Sequence, residues 1–237
     1  MTTPAPTRLL SLHLGRIRAF GPRGEPSAID KQPHAGAARI GPLGLEADAQ
    51  ADRRHHGGPD KALHHYPREH YAPWCAELPG QAALFVPGGF GENLSTLGLT
   101  EATVCVGDVF GLGNAVLQVS QGRKPCWKLN TRFGVEDMAR RVQDTGRTGW
   151  YYRVLQAGEV TAGDALALLE RPCPEWPLAR AWRLLYQAPP LPEDQDALAE
   201  LAELPQLAQG WRDTARKRAR GEEAETWGQR LERMFRG

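Results

Sequence analysis

Two hydrophobic patterns divide the chain near residue 172. Before that point, apolar residues form short runs separated by glycine-containing turns, which is typical of short β-strands. After it, glycine is rare and apolar residues recur every three or four positions, which is typical of α-helices. The proline-punctuated segment 171–177 lies between the two regions and is interpreted as a linker.

Several short strands are predicted in the first region. One begins within 9–17, and two more cover 103–110 and 115–120, where the intervening GLGN favours a hairpin turn. The segment 158–170 predicts a strand, a Gly-Asp turn and another strand. Short strands joined by glycine-rich turns favour a mainly β fold with a closed or nearly closed barrel.

Two helices are predicted to interrupt these strands. Pro67 can occupy the first turn of one, which would run to about Leu78. Four apolar residues between positions 135 and 142 have helical spacing, and Gly146 would end that second helix.

The C-terminal region predicts a small helical bundle. One helix would start at Pro177, a second would include 198–202, and the last would include 224–234. Charge is divided here, because 190–209 carries five acidic and no basic residues while 212–220 carries five basic residues and one acidic residue. These two runs could pair with each other or lie in solvent.

Composition narrows the classes of protein that remain. The chain has 237 residues and a net charge of +1, and the basic run lacks interleaved aromatic residues, so a nucleic-acid-binding surface is not supported. No apolar run approaches the roughly 20 residues of a membrane helix, and no export signal is recognised. The four widely spaced cysteines form no CxxC pair, so we expect free thiols in a reducing cytoplasm.

The segment 53–71 holds five of the seven histidines. Its spacing matches no common zinc pattern, so a zinc site is not favoured. A tight turn at Gly57 would let backbone N–H groups approach an anion, with His56, Asp60 and Lys61 flanking it. The alternative is a surface turn that happens to be rich in histidine, and composition alone favours that alternative.

A second unusual segment, 88–101, has glycine-rich stretches on both sides of Glu92 and Asn93. Such a loop can place a carboxylate and an amide in a cleft. It can equally use them to satisfy backbone groups at the end of a strand, and periodicity favours neither interpretation.

The third segment, 117–130, carries a strand into a loop that contains Cys126. Arg123, Lys124 and Lys128 surround this cysteine in sequence, and cations favour the thiolate, which is the nucleophilic and metal-binding form. The alternative is a small residue buried under the loop. The sequence by itself leaves both interpretations open.

Taken in order, HHGGPDKALHHYPREHY, GFGENLSTLGLTE, VGDVF and QVSQGRKPCWKLN resemble the MOSC domain family. The short length and helical end resemble the bacterial YiiM-like subgroup, which has a C-terminal three-helix domain. The resemblance implies a MOSC-type β-barrel with inserted helices over residues 8–171 and a small helical domain over 177–237. It also implies a molybdenum cofactor (molybdopterin), with Cys126 as the residue that binds molybdenum or handles sulfur; pyridoxal phosphate is not expected.

The resemblance assigns further residues to the site. His56 and Lys61 are candidate proton donors and, with Cys126, form the predicted catalytic set. The predicted cofactor-binding residues are Ser27, Lys31, Gly57, Asp60, Glu92, Asn93, Arg123, Lys124 and Lys128. Where the family pattern leads us to expect glycine, the chain has Ala47, so contacts from the neighbouring Glu46 and Asp48 are expected to be altered.

The resemblance implies a reductase of small N-hydroxylated compounds such as hydroxylaminopurines. Because the chain has no dinucleotide-binding fingerprint and no cysteine spacing for an iron–sulfur cluster, electrons would come from a separate reductase. The alternative function is a non-catalytic carrier of the molybdenum cofactor or of sulfur. The oligomeric state stays open, with a homodimer as one alternative.

Overall fold

The computed structural model describes residues 7–222 apart from 22, 53–56, 188 and 190. Its centre is a curled, nine-stranded mixed sheet in the order β1-β14-β10-β11-β12-β8-β9-β2-β5. Strands β8 and β9 run parallel, and the other neighbours run antiparallel. Smaller sheets contain β13-β6-β7 and β3-β4. The predicted mainly β, barrel-type fold with C-terminal helices is confirmed.

The fourteen strands found among the described residues are short, as the turn-rich sequence predicted. They are β1 Thr7–Arg8, β2 Ser11–Leu14, β3 Arg18–Phe20, β4 Glu25–Ser27, β5 Gln32–His34, β6 Ala38–Gly41, β7 Gly44–Leu45, β8 Leu63–Pro67, β9 Leu94–Thr96, β10 Val109–Leu112, β11 Ala115–Gly122, β12 Trp150–Gln156, β13 Gly158–Val160 and β14 Ala165–Glu170. The α-helices are α1 Tyr71–Glu77, α2 Lys128–Phe133, α3 Met138–Thr145, α4 Leu178–Trp182, α5 Gln195–Glu203 and α6 Gln209–Ala219.

The hairpin predicted at GLGN joins β10 to β11, but the prediction of a strand from residue 103 is wrong. Residues 103–108 form turns, and the strand starts at Val109. Asp108 explains the difference, because its buried carboxylate accepts a hydrogen bond from the backbone N–H of Cys105 at 2.9 Å. It also pairs with Arg171 at 2.7 Å. Backbone hydrogen bonds join the segment to residues 176–178 through one isolated bridge, so a side chain and this bridge fix it in place of a continuous strand.

The helix predicted to begin at Pro67 starts later. Pro67 is the last residue of β8 and has an extended backbone (φ −63°, ψ 133°); a 3₁₀ turn follows before α1. The second predicted helix is α3, and it ends as expected at Gly146, whose φ of 72° is the left-handed conformation that glycine adopts readily.

The C-terminal domain contains the first two predicted helices, α4 and α5, and the helix predicted over 224–234 lies outside the described residues. Helix α6 covers most of the basic run, which the sequence analysis treated only as a charge cluster. Arg216 of α6 pairs with Glu203 of α5 at 3.2 Å, so the acidic and basic runs do pair with each other at this point.

One hydrophobic cluster joins the sheet to the helices. It includes Leu117 and Tyr152 of the sheet and Trp176, Trp182 and Trp211 of the helical region. A second cluster, rich in aromatic rings, packs α1, α2 and α3 beside the sheet. In the part of the chain that the structure describes, no helix is long and apolar enough to span a membrane.

Candidate functional site

A polar cleft opens where the ends of β8, β9 and β11 meet the loops that contain residues 27–31 and 48–52. The space between its walls is about 600 Å³, a figure that includes the solvent at its open mouth. Seven of the predicted site residues line it: Ser27, Lys31, Lys61, Asn93, Arg123, Cys126 and Lys128. Residues from four separate parts of the sequence therefore converge on one cavity.

Cys126 lies in the loop that connects β11 to α2. Its backbone carbonyl accepts a hydrogen bond from Leu129 N–H at 3.0 Å, which fixes the loop to the first turn of the helix. The residue is only 3 % exposed, but it lines the cleft. The thiol is thus covered by the loop and faces a cavity that also contains cationic side chains.

Arg123 holds one wall of the cleft. Its backbone N–H donates to the Gly149 carbonyl at 3.0 Å, and its guanidinium donates a hydrogen bond to the Tyr151 hydroxyl. Burial raises the pKa of Tyr151, and nearby Arg123 partly offsets this effect. The phenol therefore stays protonated at neutral pH and can itself donate a hydrogen bond into the cleft.

Lys31 is fixed by a buried polar network. Its ammonium pairs with the Asp48 carboxylate, which also accepts a hydrogen bond from Asn93 Nδ2 at 2.9 Å. The Asn93 side chain also bridges two strands, because Nδ2 donates to the His13 carbonyl at 3.1 Å and Oδ1 accepts from His64 N–H at 3.1 Å. Burial lowers the pKa of Lys31, and Asp48 opposes that shift.

The other two lysines of the cleft differ in their surroundings. Burial and then the nearby Lys124 lower the pKa of Lys61 from its ordinary value, so this ammonium releases a proton more readily than a solvated lysine. Lys128 Nζ donates to the Pro26 carbonyl at 3.1 Å, which directs its charge toward the mouth of the cleft.

Four predicted cofactor-binding residues do not line the cleft. Glu92 is fully buried and accepts hydrogen bonds from Tyr71 Oη and from the backbone N–H groups of Gly88 (2.6 Å) and Phe90 (3.0 Å). Burial raises the pKa of this carboxyl group. Glu92 therefore shapes the 88–93 loop from behind, which corresponds to the structural alternative that the sequence left open.

The other three predicted cofactor-binding residues outside the cleft lining are Gly57, Asp60 and Lys124. Asp60 pairs with Arg153 of β12 at 2.6 Å, and the Lys124 ammonium lies 4.9 Å from the centre of the Tyr186 ring, on the side of the helical domain. Gly57 is half-buried outside the cleft lining. His56 lies outside the described residues.

Among the lining residues that the sequence did not assign to the site are Asp48, His64 and Tyr151. Ala47 is not strained, because no described non-glycine residue has a positive φ. Asp48 lines the cleft, whereas Glu46 does not line it and pairs with Arg39 at 3.0 Å. Burial, with Arg123 nearby, lowers the pKa of His64 well below its usual value, so this ring is neutral. His64 and Tyr151 are directly paired across β8 and β12, so their side chains lie on one face of the sheet. Neither strand has the alternating apolar and polar pattern that would have revealed this from the sequence.

Comparison with known proteins follows the same division of the chain. Residues 52–167 match the MOSC domain family, and residues 176–220 match the YiiM-like 3-alpha helix domain family. The sequence is also 44% identical to Protein YiiM of Escherichia coli (strain K12) over 225 residues, covering 94% of this chain and 97% of that protein. The chain belongs to the YiiM-like MOSC-domain family.

Other members of the family and solved structures agree with this assignment. Uncharacterized protein YflK of Bacillus subtilis (strain 168) is 47% identical over 69% of this chain and 73% of its own length. A protein of Gibberella moniliformis (strain M3125 / FGSC 7600) named Reductase is 39% identical over 92% of this chain, which spans only 38% of that protein. The crystal structure of YiiM from Escherichia coli superposes with a TM-score of 0.79 at 38% identity, covering 95% of this chain and 99% of that one.

MOSC domains are associated with binding of the molybdenum cofactor. The cleft residues fit that group: Cys126 offers a sulfur ligand of the kind that soft metals prefer, and lysine and arginine side chains offer charge-assisted hydrogen bonds to a phosphate. If the cofactor binds here, Cys126 would hold the metal, and Lys61, Arg123 and Lys128 would contact the anionic part.

Proposed function

We propose that this protein binds the molybdenum cofactor in the cleft and reduces small N-hydroxylated compounds, such as hydroxylaminopurines, to the corresponding amines. The observation that carries the proposal is the position of Cys126, which faces the same cavity as Lys31, Lys61, Arg123 and Lys128. The lining holds four cations against the carboxylates of Asp48 and Asp52, and this net positive charge in one cavity with a thiol suits an anionic cofactor with a soft metal better than a neutral ligand.

The comparisons support the same chemistry. The family assignment favours a molybdenum cofactor, and a relative that aligns with nearly the whole of this chain is named Reductase. That relative is much longer, so most of its length has no counterpart here. A reducing cytoplasm is part of the proposal and is consistent with the four free cysteines.

The reaction consumes two electrons and two protons, breaks the N–O bond, and releases an amine and water. When bound, the cofactor supplies the two-electron chemistry. The protein supplies orientation and protons. Lys61 can donate a proton to the departing oxygen, because its lowered pKa brings it closer to neutrality than an exposed lysine. Tyr151 and Phe90 line the cleft with rings against which a planar base could pack.

The electrons require a partner. The sequence has neither a dinucleotide fingerprint nor the cysteine spacing of an iron–sulfur cluster, so we propose that a separate reductase docks on the protein. The helical domain, where acidic and basic runs lie side by side, is the proposed docking face.

The decisive experiment measures turnover. The protein is purified from cells that make the cofactor and is given hydroxylaminopurine with a chemical electron donor, and adenine formation is followed. The proposal predicts multiple turnovers for the wild type and for Cys75→Ser, whose cysteine lies on α1 outside the cleft lining, and none for Cys126→Ser. Cofactor binding without turnover would favour the carrier alternative, and a persulfide on Cys126 would favour sulfur handling.

A further inference from the structure

A second groove lies behind the cofactor cleft and shares one lining residue with it, Lys31. It has a cavity volume of about 330 Å³ and lies between β2, the start of β5, the 86–89 loop and α2. Arg68 and Arg132 lie on its walls, and Asp30 lies at its edge. Neither the family assignment nor the proposed reductase chemistry gives this groove a role.

The charges of the groove do not cancel. Arg132 pairs with Asp30 at 3.0 Å, whereas Arg68 has no carboxylate within ion-pair distance among the residues that the structure describes. Arg68 instead donates to two hydroxyl groups, those of Ser11 at 2.9 Å and Ser95 at 3.4 Å. A half-buried guanidinium held by neutral groups leaves a net positive charge in the groove.

Two buried nitrogen atoms of the lining residues have no hydrogen-bond partner, namely Nδ1 of His13 and Nε of Arg132. Burial, followed by Arg68 and Lys31, lowers the pKa of His13 to about 4, so the ring is neutral. Its Nε2 lies 2.8 Å from the Ser11 hydroxyl. Because that hydroxyl can donate to Nε2, the ring hydrogen can reside on Nδ1, which is buried beside Gly88. The ring therefore adds no negative charge to the groove, and its resonance can report on binding nearby.

We propose that this groove binds the phosphate group of a small phosphorylated molecule. Arg68 and Arg132 would supply charge-assisted hydrogen bonds to the phosphate oxygens, and Asp30 would release Arg132 as the anion binds. The other walls include Pro33, Val86 and Pro87, which would pack against an apolar body attached to the phosphate. Inorganic phosphate, without such a body, should therefore bind more weakly.

This site is distinct from the cofactor cleft, because the groove lining lacks the thiol and includes none of Lys61, Arg123 or Lys128. The inference does not rest on the proposed reductase function, and the two can fail separately. The test must locate bound phosphate, since the cationic cleft could also attract it.

The experiment titrates the full-length protein with phenyl phosphate and with inorganic phosphate, by calorimetry and by following the His13 ring resonance. The resonance is assigned with His13→Gln. We expect phenyl phosphate to bind more tightly than inorganic phosphate, and the His13 resonance to shift with the same affinity. Arg68→Gln and Arg132→Gln should each weaken binding by about tenfold, since each loses a charge-assisted hydrogen bond.

Two further variants test whether Asp30 competes with the phosphate and whether the phosphate binds in the groove or in the cleft. Asp30→Asn removes the carboxylate that competes for Arg132 and should strengthen binding by about threefold. The double variant Lys61→Gln/Lys128→Gln changes the cleft alone and should leave the His13 shift intact. The proposal is overturned if the His13 resonance does not move, if the arginine variants bind normally, or if binding is lost in the double lysine variant.

Discussion

The cleft that contains Cys126 and the junction between the sheet and the helical domain are stabilised by different interactions. In the cleft, Lys31, Asp48 and Asn93 form a connected polar network. At the junction, the rings of Trp182 and Trp211 pack 5.9 Å apart, centre to centre. The cleft thus holds charged side chains where a ligand can contact them, whereas apolar packing at the junction stabilises the fold.

The cysteines show the same contrast. Cys126 faces a cavity lined by cations, while Cys105 and Cys173 lie beside the acidic residues Asp108 and Glu175. Burial and then Asp108 raise the pKa of Cys105 to about 11, and burial with Glu175 raises that of Cys173. All three thiols are almost fully buried, so it is the charges beside them, and not their burial, that differ between the two regions.

The largest loss of stability is expected from a substitution at the junction. Trp211→Ala removes a ring that packs so closely on the sheet that a Cβ at Gly122 would come within 2.8 Å of it. We expect the free energy of unfolding to fall by about 3–5 kcal/mol in urea titrations, because a large cavity is left. Cofactor content per folded molecule should stay near that of wild type. A loss below 1 kcal/mol would contradict the role of the junction, and the exposed Lys217→Gln on α6 serves as control.

A substitution in the cleft should destabilise the protein by a different mechanism. Asp48→Asn leaves the buried Lys31 ammonium without its carboxylate, and we expect a loss of about 3 kcal/mol at pH 7. The loss should shrink as pH rises toward 10, because the unpaired lysine can then fold in its neutral form. Urea titrations at several pH values test this; a loss that does not depend on pH would show that the charge of Lys31 is not its cause.

Thiol reactivity compares the two regions directly. With iodoacetamide at pH 7, Cys126 should be alkylated at least about tenfold faster than Cys105 or Cys173, because cations favour the thiolate and acidic neighbours oppose it. Peptide mapping by mass spectrometry gives the rate at each position. Equal alkylation rates at the three positions would contradict the claim that neighbouring charges make Cys126 differ from Cys105 and Cys173.

A smaller effect concerns how the free energy of unfolding depends on pH through His13, in the groove. The pKa of His13 is about 4 in the folded protein and near 6.5 when unfolded, so between these values the unfolded chain binds more protons. The free energy of unfolding should therefore decrease as pH falls through this window, by about 1 kcal/mol for His13, since the groove admits screening solvent. His13→Gln in phosphate-free buffer should reduce this slope, and an unchanged slope would contradict the assignment.

The sequence predicts the fold correctly where neighbouring residues determine the local structure. The GLGN hairpin, the strand–turn–strand at 158–170 and the glycine end of α3 follow from turn chemistry and periodicity. The strand predicted from residue 103 failed because Asp108 forms hydrogen bonds that no sequence pattern reveals. Helix α6 was missed because its many arginines obscure the apolar positions Trp211 and Ala215.

The site was predictable to the extent that residues cluster in sequence around Cys126. Arg123 and Lys128 are its near neighbours and line the cleft, but Lys124, between them, turns toward the helical domain. Asp48 lies 78 positions from the cysteine, so its place in the cleft depends on tertiary structure. The type of a residue can suggest chemistry, whereas the direction of its side chain requires the fold.

Molybdenum content per folded chain shows whether Cys126 holds the metal. Wild type, Cys126→Ser and Cys173→Ser are purified from the same cofactor-producing cells, and molybdenum and released pterin are measured. We expect Cys126→Ser to lose most of its molybdenum, whereas Cys173→Ser, with its cysteine at the junction, should retain the wild-type amount. Equal molybdenum in all three proteins would show that the thiol in the cationic cleft does not hold the metal.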